Sequence, residues 1–232
     1  EEYHEALKNQ AVINLTDLGD QAYEGRGFSL QEPMEFEIYA IGEGFKGEMY
    51  DYGWILDANT RRRVWEMHEP TSDYAGGGVK NRKFRDTIRL DAGDYLVYYK
   101  TDDNHSDEEW NANPPYDPYF WGLTLFPANM DFDPAGIKTF DAQDTRGDGI
   151  INLTHMGDNE YKKQAFVVKN AGTFRVHAVG EGKDGHMYDY GWMTDARTGK
   201  IIWKMRYEDT RHAGGAYKNR EAEALLKLEP GE

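Results

Sequence analysis

The sequence predicts an all-β protein made of two tandem antiparallel β-sandwich repeats of jelly-roll-like type, with a short N-terminal helix and a truncated second repeat. The first observation is a hexapeptide, MYDYGW, found at residues 49–54 and again at residues 187–192. The second is an offset of about 138 positions that aligns residues 13–94 with residues 151–232 without a gap, with roughly 33 of about 82 positions identical. The third is a series of short strand-like segments joined by glycine-containing turns, with only one helical pattern.

These observations divide the chain into four parts. We predict a helical segment at residues 1–12, a first β-sandwich at 13–126, a linker at 127–150 and an incomplete second β-sandwich at 151–232. The linker is predicted from its Asp, Gly and Pro content and its lack of sustained periodicity. The length of 232 residues suits two domains of ordinary size.

Composition excludes several classes of protein and partner. Hydrophobic residues make up 39% and aromatic residues 14% of the chain, which is enough to build cores despite a mean hydropathy of −0.85. A formal net charge of −15 argues against a nucleic-acid partner, because phosphate binding requires an excess of Lys and Arg. No apolar run approaches the roughly 18 residues of a membrane span, so no membrane insertion is predicted. The absence of cysteine excludes disulfides and thiolate metal sites.

The chain begins with a predicted helix over residues 1–10, where acidic residues precede Ala, Leu and Lys and so complement the helix dipole. Residues 11–15 are apolar and β-branched enough for a strand, and residues 16–27 have the Gly and Asp content of a loop. From there on, strands dominate.

Residues 35–41 alternate with the period of a half-buried strand. The second repeat distinguishes the two faces, since it keeps apolar chemistry on one face and changes the residues of the other. The predicted core face carries Phe36, Ile38, Ala40, Phe174, Val176 and Ala178. The predicted solvent face carries Glu35, Glu37, Tyr39, Thr173, Arg175 and His177.

The remainder of the first repeat consists of predicted hairpins and short strands. Two glycine-containing segments predict turns that need positive φ: GEGFKG, which begins at Gly42, and GEGKDG, which begins at Gly180. Further strands are predicted at residues 52–57, 63–67, 86–90, 95–101 and 121–126, with a polar loop at residues 69–82.

The second repeat lacks counterparts of residues 95–126. A sandwich without these strands would expose an open edge and a hydrophobic groove. Two interpretations follow: the chain is a fragment of a longer array of repeats, or a strand from another subunit completes the second sandwich.

Three segments, FSLQEPMEFEIYAIGEG, DYGWILDANTRRRVWEM and DTIRLDAGDYLVYYKTDD, together resemble the bacterial pre-peptidase C-terminal type of β-sandwich. The matching pieces are Asp57-Ala58-Asn59 and residues 92–97, and the resemblance covers most of residues 28–101 and part of 166–232. The sequence departs from the family in MYDYGW, in the AGG and KNR loop and in WNANPPYDPYFWG. The resemblance implies a secreted, non-catalytic module attached to an enzyme or surface protein.

No enzyme motif is present in the sequence. It contains no cysteine nucleophile, no GxSxG, no HExxH, no phosphate loop and no dinucleotide fingerprint. The seven histidines are scattered along the chain and share no equivalent positions in the two repeats. We therefore predict that the protein is not an enzyme.

Two acidic segments are candidate calcium sites, because calcium prefers oxygen ligands. The candidate ligands are Asp102, Asp103 and Asp107 in one loop and Asp141, Asp144 and Asp148 in the predicted linker. Neither segment has EF-hand spacing, and the alternative is a solvated acidic loop. No other cofactor is predicted.

Aromatic and amide residues cluster in WNANPPYDPYFW, which predicts a glycan-binding platform of ring faces with polar groups at their edges. The candidate residues are Trp110, Asn111, Asn113, Tyr116, Tyr119 and Trp121. The alternative is that Trp121 begins a strand and packs inward beneath a proline-stiffened loop.

The tripeptide KNR occurs in both repeats and is a candidate interaction motif. Lys80, Asn81, Arg82, Lys218, Asn219 and Arg220 could bind a carboxylate or a neighbouring domain. The alternative is that each Asn closes a turn while each Arg pairs within its own acidic domain.

Together these features predict an extracellular or cell-surface, non-enzymatic protein that acts as a structural or adhesive component of a surface or filament. Its partners would be copies of itself or other repeats of the same protein. The alternative is a glycan- or calcium-binding accessory module of a secreted enzyme. MYDYGW itself is interpreted mainly as a packing signature, with Tyr and Trp at alternate positions in a core layer.

Overall fold

The computed structural model describes residues 2–129, 136–142 and 149–231, and it is an all-β structure with a short N-terminal helix. The chain forms two compact units, Glu1–Asp148 and Gly149–Glu232. All pairs between its strands are antiparallel.

The described residues of the first unit contain the helix and ten strands. These are α1 (Glu2–Lys8), β1 (Ile13–Thr16), β2 (Tyr23–Leu30), β3 (Met34–Phe45), β4 (Glu48–Asp57), β5 (Arg63–Glu66), β6 (Asp73–Tyr74), β7 (Asn81–Leu90), β8 (Gly93–Lys100), β9 (Gly122–Pro127) and β10 (Ile137–Asp141).

The ten strands form two sandwich-like layers. In one layer, β3 lies between β9 and β7. Strand β1 pairs with the other edge of β9, and β6 pairs with the other edge of β7. In the other, β4 and β2 flank β8, while β5 and β10 occupy the edges. The long strand β4 joins the layers, since its start pairs with β3 and its end pairs with β8.

The core between the layers follows the alternation of the sequence. Phe36, Ile38 and Ala40 on β3 are fully buried, as the parity of residues 35–41 predicts. Phe28 on β2 meets Phe36 with ring centroids 5.6 Å apart, which links the two layers. Aromatic and branched aliphatic side chains fill such a layer because they bury the most apolar area per residue.

The turn after β3 differs in detail from the prediction. Positive φ falls on Lys46 and Gly47, which form the two-residue connection between β3 and β4. Gly42 lies within β3 and serves another purpose. A Cβ placed there would lie 2.1 Å from the backbone oxygen of Asp51 and 2.8 Å from the Tyr99 hydroxyl. Glycine is required at this position because two backbones approach closely.

This difference predicts unequal effects of two Gly→Ala changes. Gly42→Ala should lower the free energy of unfolding by about 2–3 kcal/mol, since the new methyl group meets backbone that cannot move aside. Gly47→Ala should cost only about 1 kcal/mol, because its Cβ enters open space and the cost is confined to the positive φ. Urea denaturation of both variants measures the difference, and equal losses would contradict this account of Gly42.

Part of the predicted linker is a strand. Within residues 127–150, Ile137–Asp141 form β10, and every residue of β10 pairs with a residue of β2. No periodic pattern marks this strand in the sequence, because it is short and lies between Asp-, Gly- and Pro-rich stretches. The Phe140 ring covers Gly27, where a Cβ would lie 1.9 Å from the ring, so β10 closes the outer edge of β2.

The second unit contains six strands. These are β11 (Gly172–Lys183), β12 (His186–Met187), β13 (Trp192–Thr194), β14 (Ile201–Lys204), β15 (Arg211–His212) and β16 (Asn219–Leu228). They form one sheet in the order β12-β11-β16-β15 and a separate β13-β14 hairpin. By the offset of the repeats, β11 corresponds to β3 and β16 to β7, and their pairing keeps the same register: Met34 lies opposite Leu90, and Gly172 opposite Leu228.

Candidate functional site: an open sheet face in the second unit

The aromatic residues of MYDYGW differ in exposure between the two units. Tyr52 and Trp54 are 4% and 2% exposed in the first unit. Their counterparts Tyr190 and Trp192 are 42% and 45% exposed in the second. Since the residues are identical, the difference comes from what covers them.

In the first unit, Tyr98 and Lys100 of β8 pack on Trp54 and Tyr52. Strand β8 lies between β2 and β4, and β9 lies between β1 and β3. Residues 149–231 contain no counterpart of either strand. Within residues 149–231, the segments equivalent to β1 and β2 therefore have no neighbouring strand of the kind that β9 and β8 provide in the first unit. Residues 151–154, equivalent to β1, form no strand, and residues 161–168, equivalent to β2, form only one bridge.

The bridge between Val168 and Gly231 has the same register as the β2–β8 ladder of the first unit. Val168 and Gly231 exchange two backbone hydrogen bonds, of 2.8 and 2.9 Å. Their counterparts in the first unit, Leu30 and Gly93, form the first pair of the β2–β8 ladder. A strand continuing this ladder would run alongside residues 161–167.

Three aromatic side chains of the second unit have the same arrangement as their counterparts beside β8 in the first unit. Tyr161 and Trp192 lie 5.8 Å apart between ring centroids, and Tyr190 and Trp192 lie 5.7 Å apart. The equivalent distances in the first unit are 5.9 Å for Tyr23–Trp54 and 5.4 Å for Tyr52–Trp54. The open face is therefore preorganised.

In the first unit, Tyr98 of β8 completes this aromatic group. Its ring stacks on Trp54 at 5.5 Å and packs against Tyr23 at 5.7 Å. Burial raises the pKa of Tyr23 to about 12, and Tyr98 adds to the rise. We call the group Tyr161, Tyr190 and Trp192, together with the unpaired edge of residues 161–167, the open face. Tyr161 was not among the residues predicted from sequence, although its identity with Tyr23 in the aligned repeats was an available signal.

The predicted glycan-binding residues differ in exposure: Trp121 is buried, Trp110 is half-buried, and the other four are exposed. Trp121 is fully buried, and Trp110 packs edge-on against it at 5.1 Å. Tyr119 stacks on His4 at 4.1 Å and stays 45% exposed. Tyr116 is 85% exposed, and its ring meets Tyr74 at 6.5 Å. The structure thus does not bring the four rings together on one surface.

The two predicted amide residues take part in a network around His105. The His105 ring nitrogens lie 2.8 Å from Asn111 Oδ1 and 2.7 Å from Asn81 Oδ1. Asn111 Nδ2 donates to Asn104 Oδ1, and the backbone oxygen of Asn113 accepts from Asn81 Nδ2 at 3.1 Å. These contacts join the loop that follows β8 to the start of β7.

The KNR side chains make contacts within their own units. Lys80 Nζ lies 2.9 Å from Glu43 Oε1, and Lys218 Nζ lies 2.8 Å from Glu181 Oε1. The remaining contacts are Asn81 Nδ2 to the Gly76 oxygen at 2.9 Å, Asn219 Nδ2 to the Gly214 oxygen at 2.9 Å, Arg82 Nη2 to Glu69 Oε1 at 2.9 Å, and Arg220 Nη2 to the Thr210 oxygen at 2.8 Å. The motif closes a turn and pairs charges inside each unit.

The predicted calcium ligands that the structure describes differ in burial. Asp103 and Asp107 are exposed, Asp141 is exposed at the end of β10, and Asp144 and Asp148 lie outside the described residues. Burial raises the pKa of Asp107, with Asp17 adding to the rise. Asp102 is half-buried, and its backbone N–H donates to Asp51 Oδ1 at 2.6 Å.

Comparisons with protein-family profiles, with curated proteins and with solved structures found no match. Across the described residues, helices long and apolar enough to span a membrane are absent.

Proposed function

We propose that this protein is a non-enzymatic structural component of an extracellular or cell-surface assembly, and that its second unit accepts a β-strand from a neighbouring chain carrying the same repeat. The open face carries this proposal. Side chains that are buried beneath β8 in the first unit are exposed in the second, in the same arrangement.

The first unit specifies the chemistry of the incoming strand. Strand β8 reads GDYLVYYK, and it buries Tyr95, Val97 and Tyr99 in the main core, while Leu96 packs on the opposite face against Ala58 and Ala142. Both faces of the strand are apolar because the strand is central in its layer. The occupant of the open face is therefore a segment with large apolar residues on both faces, aligned to extend the Val168–Gly231 bridge.

Two physical effects favour this occupancy. The backbone of residues 161–167 presents N–H and C=O groups to which an added strand can hydrogen-bond, as in other cases of β-strand addition. Exposed aromatic surface such as Trp192, Tyr190 and Tyr161 gains about 25 cal/mol per Å² when it is removed from water. The resemblance to secreted, non-catalytic modules supports the proposed location.

A synthetic peptide with the sequence of residues 91–101 tests the proposal. We expect it to bind the intact chain and to change the fluorescence of Trp192, because Tyr98 of the peptide would stack on that ring as it does on Trp54. The matched control is the same peptide with Val97→Asp and Tyr99→Asp, which places charge on the face that is buried in the core. Binding of the control peptide with equal affinity, or no binding of the native sequence at millimolar concentration, would overturn the proposal.

A further inference from the structure

A second feature, independent of the open face, is a group of three carboxylates in the first unit. Glu43 on β3, Asp51 on β4 and Asp102 in the loop after β8 each offer one oxygen, and these atoms lie within 4.8 Å of one another. Glu43 is 2% exposed and Asp51 is fully buried. We call this group the carboxylate cluster.

Within the described residues, the cluster contains buried oxygens that have no hydrogen-bond partner. Asp51 Oδ1 accepts from the Asp102 backbone N–H, but Asp51 Oδ2 accepts from nothing. Glu43 Oε1 pairs with Lys80, but Glu43 Oε2 is likewise without a partner. Buried carboxylate oxygens are costly without a donor or a cation, so two of them in one cluster indicate an additional ligand.

Burial and neighbouring charges raise the pKa of one carboxyl in the cluster and of one hydroxyl beside it. Burial raises the pKa of the Asp51 carboxyl to about 8, and Asp102 and Glu43 add to the rise, against the hydrogen bond from the Asp102 backbone and the charge of Lys100. Burial also raises the pKa of the Tyr99 hydroxyl well above its usual range, with Asp51 and Glu43 contributing. Lys80 is committed to one oxygen of Glu43.

We propose that Glu43, Asp51 and Asp102 bind a calcium ion. All three ligands are hard oxygen donors, which calcium accepts in flexible geometry and with mono- or bidentate carboxylates. The ion would occupy the positions facing Asp51 Oδ2 and Glu43 Oε2 and would join three segments of the chain: the end of β3, the start of β4 and the loop after β8.

The second unit provides a natural control for this site. It keeps Glu181, Asp189 and Lys218 at the equivalent positions, including the Lys–Glu pair. It has no counterpart of Asp102 within residues 149–231, and Asp189 is exposed. The proposal therefore predicts one calcium ion, bound in the first unit.

The test is calorimetric titration of the chelator-stripped full chain with calcium chloride alone. We expect a single site whose affinity falls at least about tenfold in Asp51→Asn and in Asp102→Asn, as expected for loss of a charged ligand. Asp189→Asn in the second unit and Asp103→Asn beside the site should leave the affinity unchanged. Circular dichroism establishes that each variant is folded, and the half-buried position of Asp102 makes Asp102→Asn the variant least sensitive to misfolding.

Terbium luminescence gives a second measurement, because terbium replaces calcium at oxygen sites and Tyr99 lies beside the cluster. We expect sensitised emission from the wild-type chain that calcium displaces and that Asp51→Asn loses. Absence of calcium binding at millimolar concentration in both measurements would overturn the proposal and leave a proton shared within the cluster as its charge compensation. Equal calcium affinity in wild type and Asp51→Asn would overturn it as well.

Discussion

Replacing Trp54 by Ala should lower the free energy of unfolding of the first unit by about 3–5 kcal/mol, whereas replacing Trp192 by Ala should cost the second unit about 1 kcal/mol or less. Both residues directly follow a shared Asp-Tyr-Gly, but Trp54 is 2% exposed and Trp192 is 45% exposed. Truncating Trp54 removes its stacking with Tyr98 and leaves a cavity between β2, β4 and β8. Truncating Trp192 removes a ring that is already half in water.

The two units must be measured separately in this comparison. Native-state hydrogen exchange does so, because amides in β3 and β7 report on the first unit and amides in β11 and β16 report on the second. The Trp192→Ala variant has a further use. It should weaken binding of the peptide of residues 91–101 while leaving the stability of the second unit without peptide nearly unchanged. Equal losses of stability in both units would mean that the second unit buries Trp192 after all.

Replacing Asn81 by Ala should destabilise the first unit by about 3 kcal/mol or more, whereas the identical change at Asn219 should cost the second unit about 1 kcal/mol. Asn81 is fully buried, and its amide donates to the backbone oxygens of Gly76 and Asn113 while its Oδ1 faces His105. Removing it takes away the partner of the buried Gly76 oxygen and of one His105 ring nitrogen, while the Asn113 oxygen still accepts from the Gly78 N–H. Asn219 is half-buried, and its amide donates to Gly214.

Chemical denaturation combined with proteolysis measures this second effect. Since Asn81 holds the loop after β8 through His105, Asn81→Ala should also increase cleavage within residues 102–117, and Asn219→Ala should not. Asn81→Asp is a useful companion variant, because it keeps the shape of the side chain but loses the donor to Gly76 and Asn113. If both alanine variants lose the same stability, the hydrogen bonds to the loop contribute little.

Much of the fold was predictable because the sequence contains an internal comparison. Phe36, Ile38 and Ala40 keep their apolar character in the second repeat while their neighbours change, which identified the core face of β3. The burial of Trp121, the alternative to its role in a glycan platform, follows from its position directly before β9.

Other features depend on contacts between distant segments and were not predictable. Strand β10 exists because Phe140 and its neighbours complete the edge of β2, and no local pattern records that. In the sequence, Asp51 is recognisable only as the acidic residue of MYDYGW, which we interpreted as a packing motif. Its burial beside Glu43 and Asp102 depends on the close approach that Gly42 allows and on a loop about 50 residues away in the chain. Composition and periodicity carry no information on such proximity.

The two units also show that the repeat sequence does not by itself determine strand formation. Tyr23–Leu30 form β2 when β8 and β10 lie beside them. Residues 161–168 occupy the same place in the repeat and form only the bridge from Val168 to Gly231. Isolated strands are not stable without partners, so strand formation by this segment depends on an adjacent strand.

Hydrogen exchange of residues 161–168 in the intact chain, with and without the peptide of residues 91–101, tests the central claim most directly. The amides of Tyr23–Leu30 in the same molecule serve as the protected reference. We predict fast exchange of residues 161–168 in the free chain and exchange slowed by at least about tenfold when the peptide is bound, as expected for amides that enter a ladder. Exchange that is already slow without the peptide, or that stays fast at a saturating peptide concentration, would contradict the account.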